Sequence, residues 1–291
     1  MTDLATSPDL SLPLGAKGSG RARYAAAMAL YQSGKISPQA LEIYRIASAL
    51  DSQDPEPMLA EIGAGSVAEP ATGEVVFRRL IEEADRYLAT LPGPPSCKAG
   101  VAEVRAALNR WRAGPVTLKP RPNGVIAAHL GDALAPLTET HLALAQAIAA
   151  AAPYLCWKPY DRYPVADIGA AFAQGHAYAS LIGEDATIPA RDFDLGIFLI
   201  APHLLYRDHH HAAPELYAPL TGPHGWRFGP RTPLVIKPAH VPVWNDPHSP
   251  HLTKVGPVPF LALFGWTADV TQTAVVIPAT DWPALEALRL G

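Results

Sequence analysis

The sequence has few cysteines, no long apolar run and no run of basic residues. Its 291 residues contain two cysteines, Cys97 and Cys156, which are too few and too far apart for a disulfide framework or a zinc knuckle. The formal net charge is -4 and the pI is near 6.2. Without a cluster of lysine or arginine, the chain lacks the electrostatic footprint of a protein that binds nucleic acid or an anionic membrane. These absences favour small-molecule chemistry.

The amino terminus lacks a recognisable targeting signal. Residues 1–20 have neither the charged start nor the apolar stretch of a secretion signal, and no apolar run reaches the roughly 18 residues of a membrane helix. We therefore expect a cytoplasmic protein. Because residues 1–20 are small, polar and punctuated by glycine, we expect them to be disordered.

Residues 1–152 have the pattern of short helices connected by loops. Apolar residues recur at spacings of three and four, which predicts amphipathic helices. The predicted helices begin near Arg21, Pro38, Glu74, Lys98 and Thr140. Ser37 stands where an N-cap is expected, and prolines and glycines separate the helical segments.

From about Ala190 the pattern changes to short runs of β-branched, aliphatic and aromatic residues, separated by Pro, Gly and Asp. These runs are FDLGIFLIA, ELYAPLT, GWRFG, PLVIKPA, PFLALFGWT and TAVVIPA. They predict an antiparallel sandwich or barrel, followed by a carboxy-terminal helix, DWPALEALRL, on its outside. The sequence therefore predicts an α+β protein, with a helical region over 1–152 and a β-barrel domain over 153–291.

The segment YRDHHHAAPELY, Tyr206 to Tyr217, carries the strongest chemical signal. His209, His211 and Glu215 have the spacing HxHxxxE directly after an apolar run. Alternate side chains of an extended chain share a face, so His209 and His211 point the same way. Two imidazoles and a carboxylate suit Fe, Mn, Zn, Ni or Co. Eight of the chain's 11 histidines lie between His203 and His251, so we expect one of them to complete a site for one divalent metal ion.

This segment resembles the cupins and, more narrowly, the dimethylsulfoniopropionate (DMSP) lyase branch of cupins, whose signature reads roughly YPxHxHxAxExY. The upstream LIGEDATIPARDFDLGIFLIAP and the downstream FLALFGWTAD are also similar to that family, so the resemblance covers about residues 153–272. It implies a small jelly-roll barrel in which a first motif supplies two histidines and a glutamate and a second motif supplies a histidine.

Two positions depart from the family's pattern. Arg207 replaces the proline after the tyrosine, and Val243 follows the turn PAHVP where the family has its last histidine. An insertion in this region restores the register and makes His251 the last ligand. His248 and His240 are the alternatives.

The resemblance implies a β-elimination that converts DMSP into dimethyl sulfide and acrylate, with the metal binding the substrate carboxylate. Tyr217 follows Glu215 by two residues and shares its face. A neighbouring cation lowers the pKa of a phenol, so Tyr217 is a candidate general base. Tyr206 is the alternative base or a substrate-orienting donor. Aromatic candidates for the pocket wall, where a sulfonium can contact a ring face, are Trp157, Tyr160 and Trp266, of which Trp266 lies in the family-like strand.

Two other kinds of function are compatible with the sequence. The same fold supports dioxygenases and isomerases that act on other small carboxylates, as well as non-catalytic cupins that bind a small ligand. We expect a small zwitterionic carboxylate at the site and no nucleic-acid or membrane partner, and a homodimer is compatible with the sequence. The metal's identity is not distinguished by the ligand types.

Overall fold

The computed structural model describes Leu10, residues 12–63 and residues 72–290. The contacts divide the chain into two compact units, Met1–Arg79 and Leu80–Gly291. The domain boundary proposed at residue 152 lies within the second unit, in which helices pack on one of the sheets. Within the described ranges, no helix combines the length and the apolar character needed to cross a membrane.

The first unit is helical and has an apolar core. Its helices are α1 (Ser19–Gln32), α2 (Pro38–Ala47) and α3 (Glu56–Glu61), and α4 (Gly73–Thr90) begins in it. The predicted N-cap of α2 is confirmed, since Ser37 Oγ accepts a hydrogen bond from Ala40 N at 3.1 Å. Ala27, Tyr44 and Leu59 lie at the centre of the unit's buried cluster.

Asp51 fixes the segment before α1. Its carboxylate accepts hydrogen bonds from Gly18 N and Gly20 N, each at 2.8 Å. Its carbonyl oxygen accepts from the Arg23 guanidinium at 2.9 Å. Residues 12–20 therefore differ from the disorder that their composition predicts, because a residue about 30 positions away supplies their hydrogen-bond acceptors. Residues 1–9 and 11 lie outside the described residues.

In the second unit, the helices other than the carboxy-terminal one precede the strands. After α4 they are α5 (Pro95–Trp111), α6 (Gly124–Leu134), α7 (Leu137–Thr140), α8 (Leu142–Ala151), α9 (Val165–Ile168) and α10 (Ala170–Gln174). The sequence analysis missed α6 because KPRPNG indicates a loop, yet Asn123 in that segment caps the helix by accepting from Val125 N at 2.8 Å. The helix predicted from Thr140 begins instead at Leu142, because His141 has a non-helical φ of -137°.

The strands form two sheets. They are β1 (His176–Gly183), β2 (Ile188–Pro189), β3 (Asp194–Ile200), β4 (Leu205–His210), β5 (Glu215–Pro219), β6 (His224–Arg227), β7 (Val235–Lys237), β8 (Val243–Asn245), β9 (His251–Lys254), β10 (Phe260–Trp266) and β11 (Val275–Val276). One sheet has the order β2-β1-β3-β10-β5-β8 and the other β11-β4-β9-β6-β7. All pairings are antiparallel except that of β1 with β2. The predicted α+β class with an antiparallel barrel is confirmed.

The six-stranded sheet has a helix-covered face and an interior face. On the covered face, Gly100 of α5 lets the Trp244 ring approach closely, since a Cβ at Gly100 would lie 2.0 Å from that ring. On the interior face, Phe198, Tyr217 and Phe264 join a cluster that includes Trp226 of the other sheet. The barrel interior is therefore lined with aromatic side chains.

A last helix, α11 (Trp282–Ala287), contacts β4 and confirms the predicted carboxy-terminal helix. The Arg207 guanidinium lies over the Trp282 ring, 4.6 Å from its centroid, and donates to Glu286 Oε1 at 2.8 Å. Arg207, which stands in place of the family's proline, thus attaches α11 to the strand that carries the histidines.

Candidate metal centre and its cavity

The pairing of β4 with β9 brings two of the predicted ligands together. His209 lies directly opposite His251 in the antiparallel ladder, and their ring centroids are 4.1 Å apart. The register shifts by one residue between Tyr206 and His209. Such a bulge re-aims side chains, and it lets Tyr206 stack on His209 with centroids 4.0 Å apart, although an odd separation in a regular strand would place them on opposite faces.

Three imidazoles converge at this point. Ring nitrogens of His209, His211 and His251 lie within 4.8 Å of one another, and all three side chains are buried. Each Nδ1 faces a backbone carbonyl two residues away, which fixes it as the protonated nitrogen. The acceptors are Arg207 O at 2.8 Å, Ala213 O at 2.8 Å and Ser249 O at 2.9 Å. The Nε2 atoms therefore present lone pairs, which is the arrangement found in metal-binding histidines.

Glu215 lies against this cluster. Its Oε2 is 3.2 Å from His211 Nε2 and 3.3 Å from His251 Nε2. Two side chains hold the carboxylate from the other side, because Trp266 Nε1 donates to Oε1 at 2.7 Å and Asn245 Nδ2 donates to Oε2 at 3.1 Å. The Glu215 side chain is therefore fixed toward the imidazoles.

The donor set fits a divalent cation. With protons on Nδ1, His211 Nε2 and Glu215 Oε2 are both hydrogen-bond acceptors at close range, a contact that needs a proton or a positive ion between them. Among the described residues, His209 Nε2 and His251 Nε2 have no hydrogen-bond partner. Buried polar atoms without partners are costly, and three nitrogens with one carboxylate oxygen are ligands that Zn²⁺ and similar ions accept.

The electrostatics of the cluster favour unprotonated ligands at two positions. Burial, and then the neighbouring His251 and His211, lower the pKa of His209 well below its usual value. Burial raises the pKa of Glu215, but His211 and His251 outweigh it and hold that pKa well below the usual range. For His211, burial is outweighed by Glu215, which raises its pKa. A proton on His211 therefore competes with a metal ion for Glu215.

A cavity of about 190 Å³ opens beside Glu215. Its lining residues include Glu215 and the predicted base and pocket candidates Tyr160, Tyr206, Tyr217 and Trp266. Trp157, the remaining aromatic candidate, is instead buried, with Nε1 donating to Ala152 O at 3.0 Å. The cavity thus combines a candidate metal ligand with phenols and aromatic rings.

The two candidate bases have different surroundings. The Tyr206 hydroxyl is 2.9 Å from the Tyr163 hydroxyl, while Tyr217 shares the interior face of β5 with Glu215. Burial and the charge of Glu215 raise the pKa of Tyr217 well above its usual value. Burial also raises the pKa of Tyr206, although its hydrogen bond with Tyr163 acts in the opposite direction. The protein's own groups thus disfavour a phenolate, so lowering either pKa requires an added positive charge.

The alternative last ligands lie elsewhere. His248 is exposed and its ring is 5.7 Å from that of His210. His240 Nδ1 is 3.0 Å from the Tyr87 hydroxyl. Val243, at the position where the family has a histidine, pairs with Tyr217. The structure thus brings His251 to His209 and His211, and neither His248 nor His240.

Sequence reasoning missed several residues of the site. Asn245 and Tyr163 contact Glu215 and Tyr206 respectively, and Tyr178, Asp194 and Phe198 line the cavity. Alternation along β3 and β1 would have placed Tyr178, Asp194 and Phe198 on the interior face once the strand register was known. The loop residue Tyr163 carries no comparable signal.

Comparisons with known proteins identify a family and a shared fold. The family model described as dimethylsulfoniopropionate lyase matches residues 104–262, more than half of the chain. A chain from the crystal structures of the DMSP lyases RdDddP and RnDddQII has 19% identity and a TM-score of 0.55, covering 71% of this chain and 100% of that chain. DMSP lyase DddQ from Ruegeria pomeroyi DSS-3 has 24% identity and a TM-score of 0.42, covering 63% of this chain and 97% of that chain.

A cupin-like protein from Thermotoga maritima, tm1010, has 14% identity and a TM-score of 0.30, covering 35% of this chain and 75% of that chain. Among curated proteins, none matches the chain. The TM-score above 0.5 shows the shared fold, and the family match covers β1 to β9 together with part of α5 and of β10. This chain belongs to the dimethylsulfoniopropionate lyase family.

Proposed function

We propose that the chain cleaves DMSP into dimethyl sulfide and acrylate, using a divalent metal ion held by His209, His211, His251 and Glu215. The observation that carries the proposal is the buried donor set itself, in which three imidazoles converge and two of them face the Glu215 carboxylate beside a cavity lined with phenols. The family match supports a lyase. It does not determine the ion or the base, which are inferred from the residues of the site.

The reaction is a β-elimination. A general base removes the proton from the carbon next to the substrate carboxylate, that electron pair forms the carbon–carbon double bond, and the carbon–sulfur bond breaks with its electrons leaving on sulfur. Dimethyl sulfide departs as a neutral molecule and acrylate keeps the carboxylate. The atoms balance without a redox partner, so the residues need only bind the two ends of the substrate and move one proton.

Tyr217 is the base that we favour. It lines the cavity on the same face as Glu215, whereas the Tyr206 hydroxyl is engaged with that of Tyr163 at 2.9 Å. A divalent ion at the donor set supplies positive charge that offsets the substrate carboxylate, acidifies the adjacent C–H bond and lowers the pKa of a nearby phenol. The Tyr206–Tyr163 pair, which also lines the cavity, then orients the substrate.

Gas chromatography of dimethyl sulfide tests the proposal. The metal-loaded wild-type protein should release dimethyl sulfide from DMSP, and Tyr217→Phe should reduce kcat by about 10²- to 10⁴-fold, the usual contribution of a general base. Tyr31→Phe, at a tyrosine of α1 that is 40% exposed, is the matched control and should retain full activity. Absence of dimethyl sulfide from the wild-type protein loaded with each of the five candidate metals would contradict the lyase function.

Comparing Tyr217→Phe with Tyr206→Phe identifies the base. If Tyr206→Phe abolishes turnover while Tyr217→Phe retains it, the role assigned to Tyr217 belongs to Tyr206. Proton exchange at the α-carbon of DMSP in deuterated water, followed by NMR, separates the two roles further. A variant that lacks the base should lose this proton exchange. A variant that only weakens substrate orientation should have a higher KM but still catalyse the exchange.

A further inference from the structure

A second carboxylate faces the same cavity as Glu215, away from the histidines. Asp194 begins β3 and lines the cavity wall. Its Oδ2 accepts a hydrogen bond from Ser180 Oγ at 3.0 Å. Its Oδ1 is shielded from solvent and has no hydrogen-bond partner in residues 12–63 and 72–290. A shielded carboxylate oxygen without a partner is unfavourable unless a ligand offsets its charge.

The strand register fixes the separation of the two carboxylates. Trp266 of β10 pairs with Asp194 on one side and with Glu215 on the other. Directly paired residues point to the same face, and neighbouring strands lie about 4.8 Å apart, so the two backbones are about 10 Å apart with the indole of Trp266 on the strand between them. One cavity therefore has a carboxylate among imidazoles and another carboxylate two strands away.

The protein's own cations compensate Asp194 only in part. Lys158 and Arg162 also line the cavity, but the described residues form no ion pair with Asp194. Lys158 Nζ instead lies over the Tyr178 ring, 5.3 Å from its centroid. Burial raises the pKa of Asp194 to about 7, against the opposing effects of Ser180 and Lys158. The Asp194 carboxylate is thus suited to a cation that enters from the cavity.

Aromatic rings surround this part of the cavity. The Tyr178 ring is 6.1 Å from that of Phe264 and 6.5 Å from that of Tyr160, and all three residues line the wall. Ring faces attract cations, and the attraction is strongest for weakly hydrated cations such as quaternary ammonium groups. A carboxylate beside ring faces suits a sulfonium or quaternary ammonium group, which has charge but no proton to donate.

We propose that Asp194, positioned by Ser180, is a specificity-determining residue that binds the onium group of an onium carboxylate. This inference rests on the proposed function, because it assigns the substrate carboxylate to the end of the cavity at Glu215. In DMSP the sulfur is three bonds from the carboxyl carbon, so the onium group extends along Trp266 toward Asp194. Opposite charges recognised at the two ends select a zwitterion over a simple fatty acid.

Two probes of the same shape test the role of Asp194. The probe 3-(trimethylammonio)propionate carries a cationic head, and 4,4-dimethylpentanoate replaces it with a neutral tert-butyl group. In titration calorimetry of the metal-loaded full chain, the wild-type protein should prefer the cationic probe by at least about tenfold, and Asp194→Asn should abolish that preference. Asp185→Asn removes an exposed carboxylate that also lines the cavity and should change the preference by less than about twofold, since water screens exposed charges.

An unchanged preference in Asp194→Asn, or no preference in the wild-type protein, overturns the inference. If the melting temperature shows that the Asn variant is unfolded, Asp194→Ser provides the same loss of charge. The result is separable from the lyase assay. If binding of the cationic probe depends on Asp194 but the wild-type protein releases no dimethyl sulfide, the onium site stands and the proposed reaction is overturned. If dimethyl sulfide is released but Asp194→Asn has the same probe preference as the wild-type protein, the reaction stands and the onium site is overturned.

Discussion

Two buried polar clusters meet at β4, and they differ in how completely their hydrogen bonds are satisfied. Asp208 and His209 are neighbours, so their side chains leave opposite faces of the strand. Asp208 accepts hydrogen bonds on both oxygens, from the Arg227 guanidinium and from Trp282 Nε1. His209 Nε2, in contrast, has no hydrogen-bond partner among the described residues.

This difference separates a cluster that stabilises the fold from one that is suited to bind a ligand. Arg227 joins Asp208 to Asp281, and so connects β4 and β6 to the start of α11. Its charge is matched within the protein. His211 and His251 instead face Glu215 with acceptors, and His209 Nε2 lies beside them with its own lone pair, so the stability of that cluster depends on a proton or an added cation. The following predictions test this contrast, from the largest expected effect to the smallest.

Removing a ligand should abolish function without unfolding the chain. We expect His211→Ala to weaken metal affinity by about 10²- to 10³-fold, because four ligands share a metal-binding free energy of about 10–16 kcal/mol, and to abolish dimethyl sulfide release. His210→Ala is the matched control. His210 alternates with His209 and His211 along the chain, and its ring lies near His248. Elemental analysis measures the metal content of both variants. Full metal content in His211→Ala would contradict the role of His211 as a metal ligand.

Removing the cation of the Asp208–Arg227 cluster should lower the stability of the protein but leave metal binding intact. Arg227→Met leaves Asp208 buried without its cation, and we expect the free energy of unfolding to fall by about 3–5 kcal/mol while the folded protein still binds one metal ion. The double variant Asp208→Leu/Arg227→Met removes both charges and should recover most of the loss. Urea denaturation measures the first effect. A variant that keeps its stability and loses its metal would show that the two clusters are not separate.

Acid should destabilise the fold through His224, a buried histidine with a hydrogen-bond partner at each ring nitrogen. His224 Nδ1 accepts from Gly256 N at 3.2 Å, and its Nε2 lies 3.1 Å from Thr221 Oγ1. Burial lowers the pKa of His224 to about 4. Because the unfolded chain then binds the proton more readily, the associated stability is complete above the unfolded pKa of about 6.5 and is lost as pH falls toward the folded pKa, by about 3 kcal/mol.

Chemical denaturation at pH 7.5, 5.5 and 4.5 measures this dependence, with His224→Gln as the comparison. The variant should be less stable at pH 7.5 and should lose less stability on acidification, by about one proton's contribution. An identical slope in both proteins would contradict the assignment of a neutral, buried His224.

The smallest effect should come from a residue that supports a ligand. Trp266→Phe keeps an aromatic ring but removes the hydrogen bond to Glu215 Oε1. We expect metal affinity to fall by about tenfold, the lower end for such supporting hydrogen bonds. Competition with a calibrated chelator measures the change, and an unaltered affinity would show that Glu215 does not need this partner.

Much of the site was predictable because its main signal is local. The spacing of His209, His211 and Glu215 depends on alternation within one short segment, and the strands β3, β5 and β10 have clear apolar patterns. The carboxy-terminal helix was also predicted. These features need no knowledge of which strand pairs with which.

The remainder depends on the pairing of distant strands, which the pattern within one segment does not reveal. The bulge that allows Tyr206 to stack on His209 appears only when β4 is paired with β9. Asp194 and Glu215 share a face because both pair with Trp266. Strand β1 was missed because it follows an alanine-rich segment of helical pattern. Such long-range pairings decide which polar residues meet.

X-ray absorption spectroscopy of the protein loaded with one equivalent of Zn²⁺ tests the central claim most directly. The account predicts three imidazole nitrogens and one carboxylate oxygen at about 2.0–2.2 Å, with one imidazole lost in His251→Ala. A spectrum dominated by water oxygens, or one that is unchanged in His251→Ala, would contradict it.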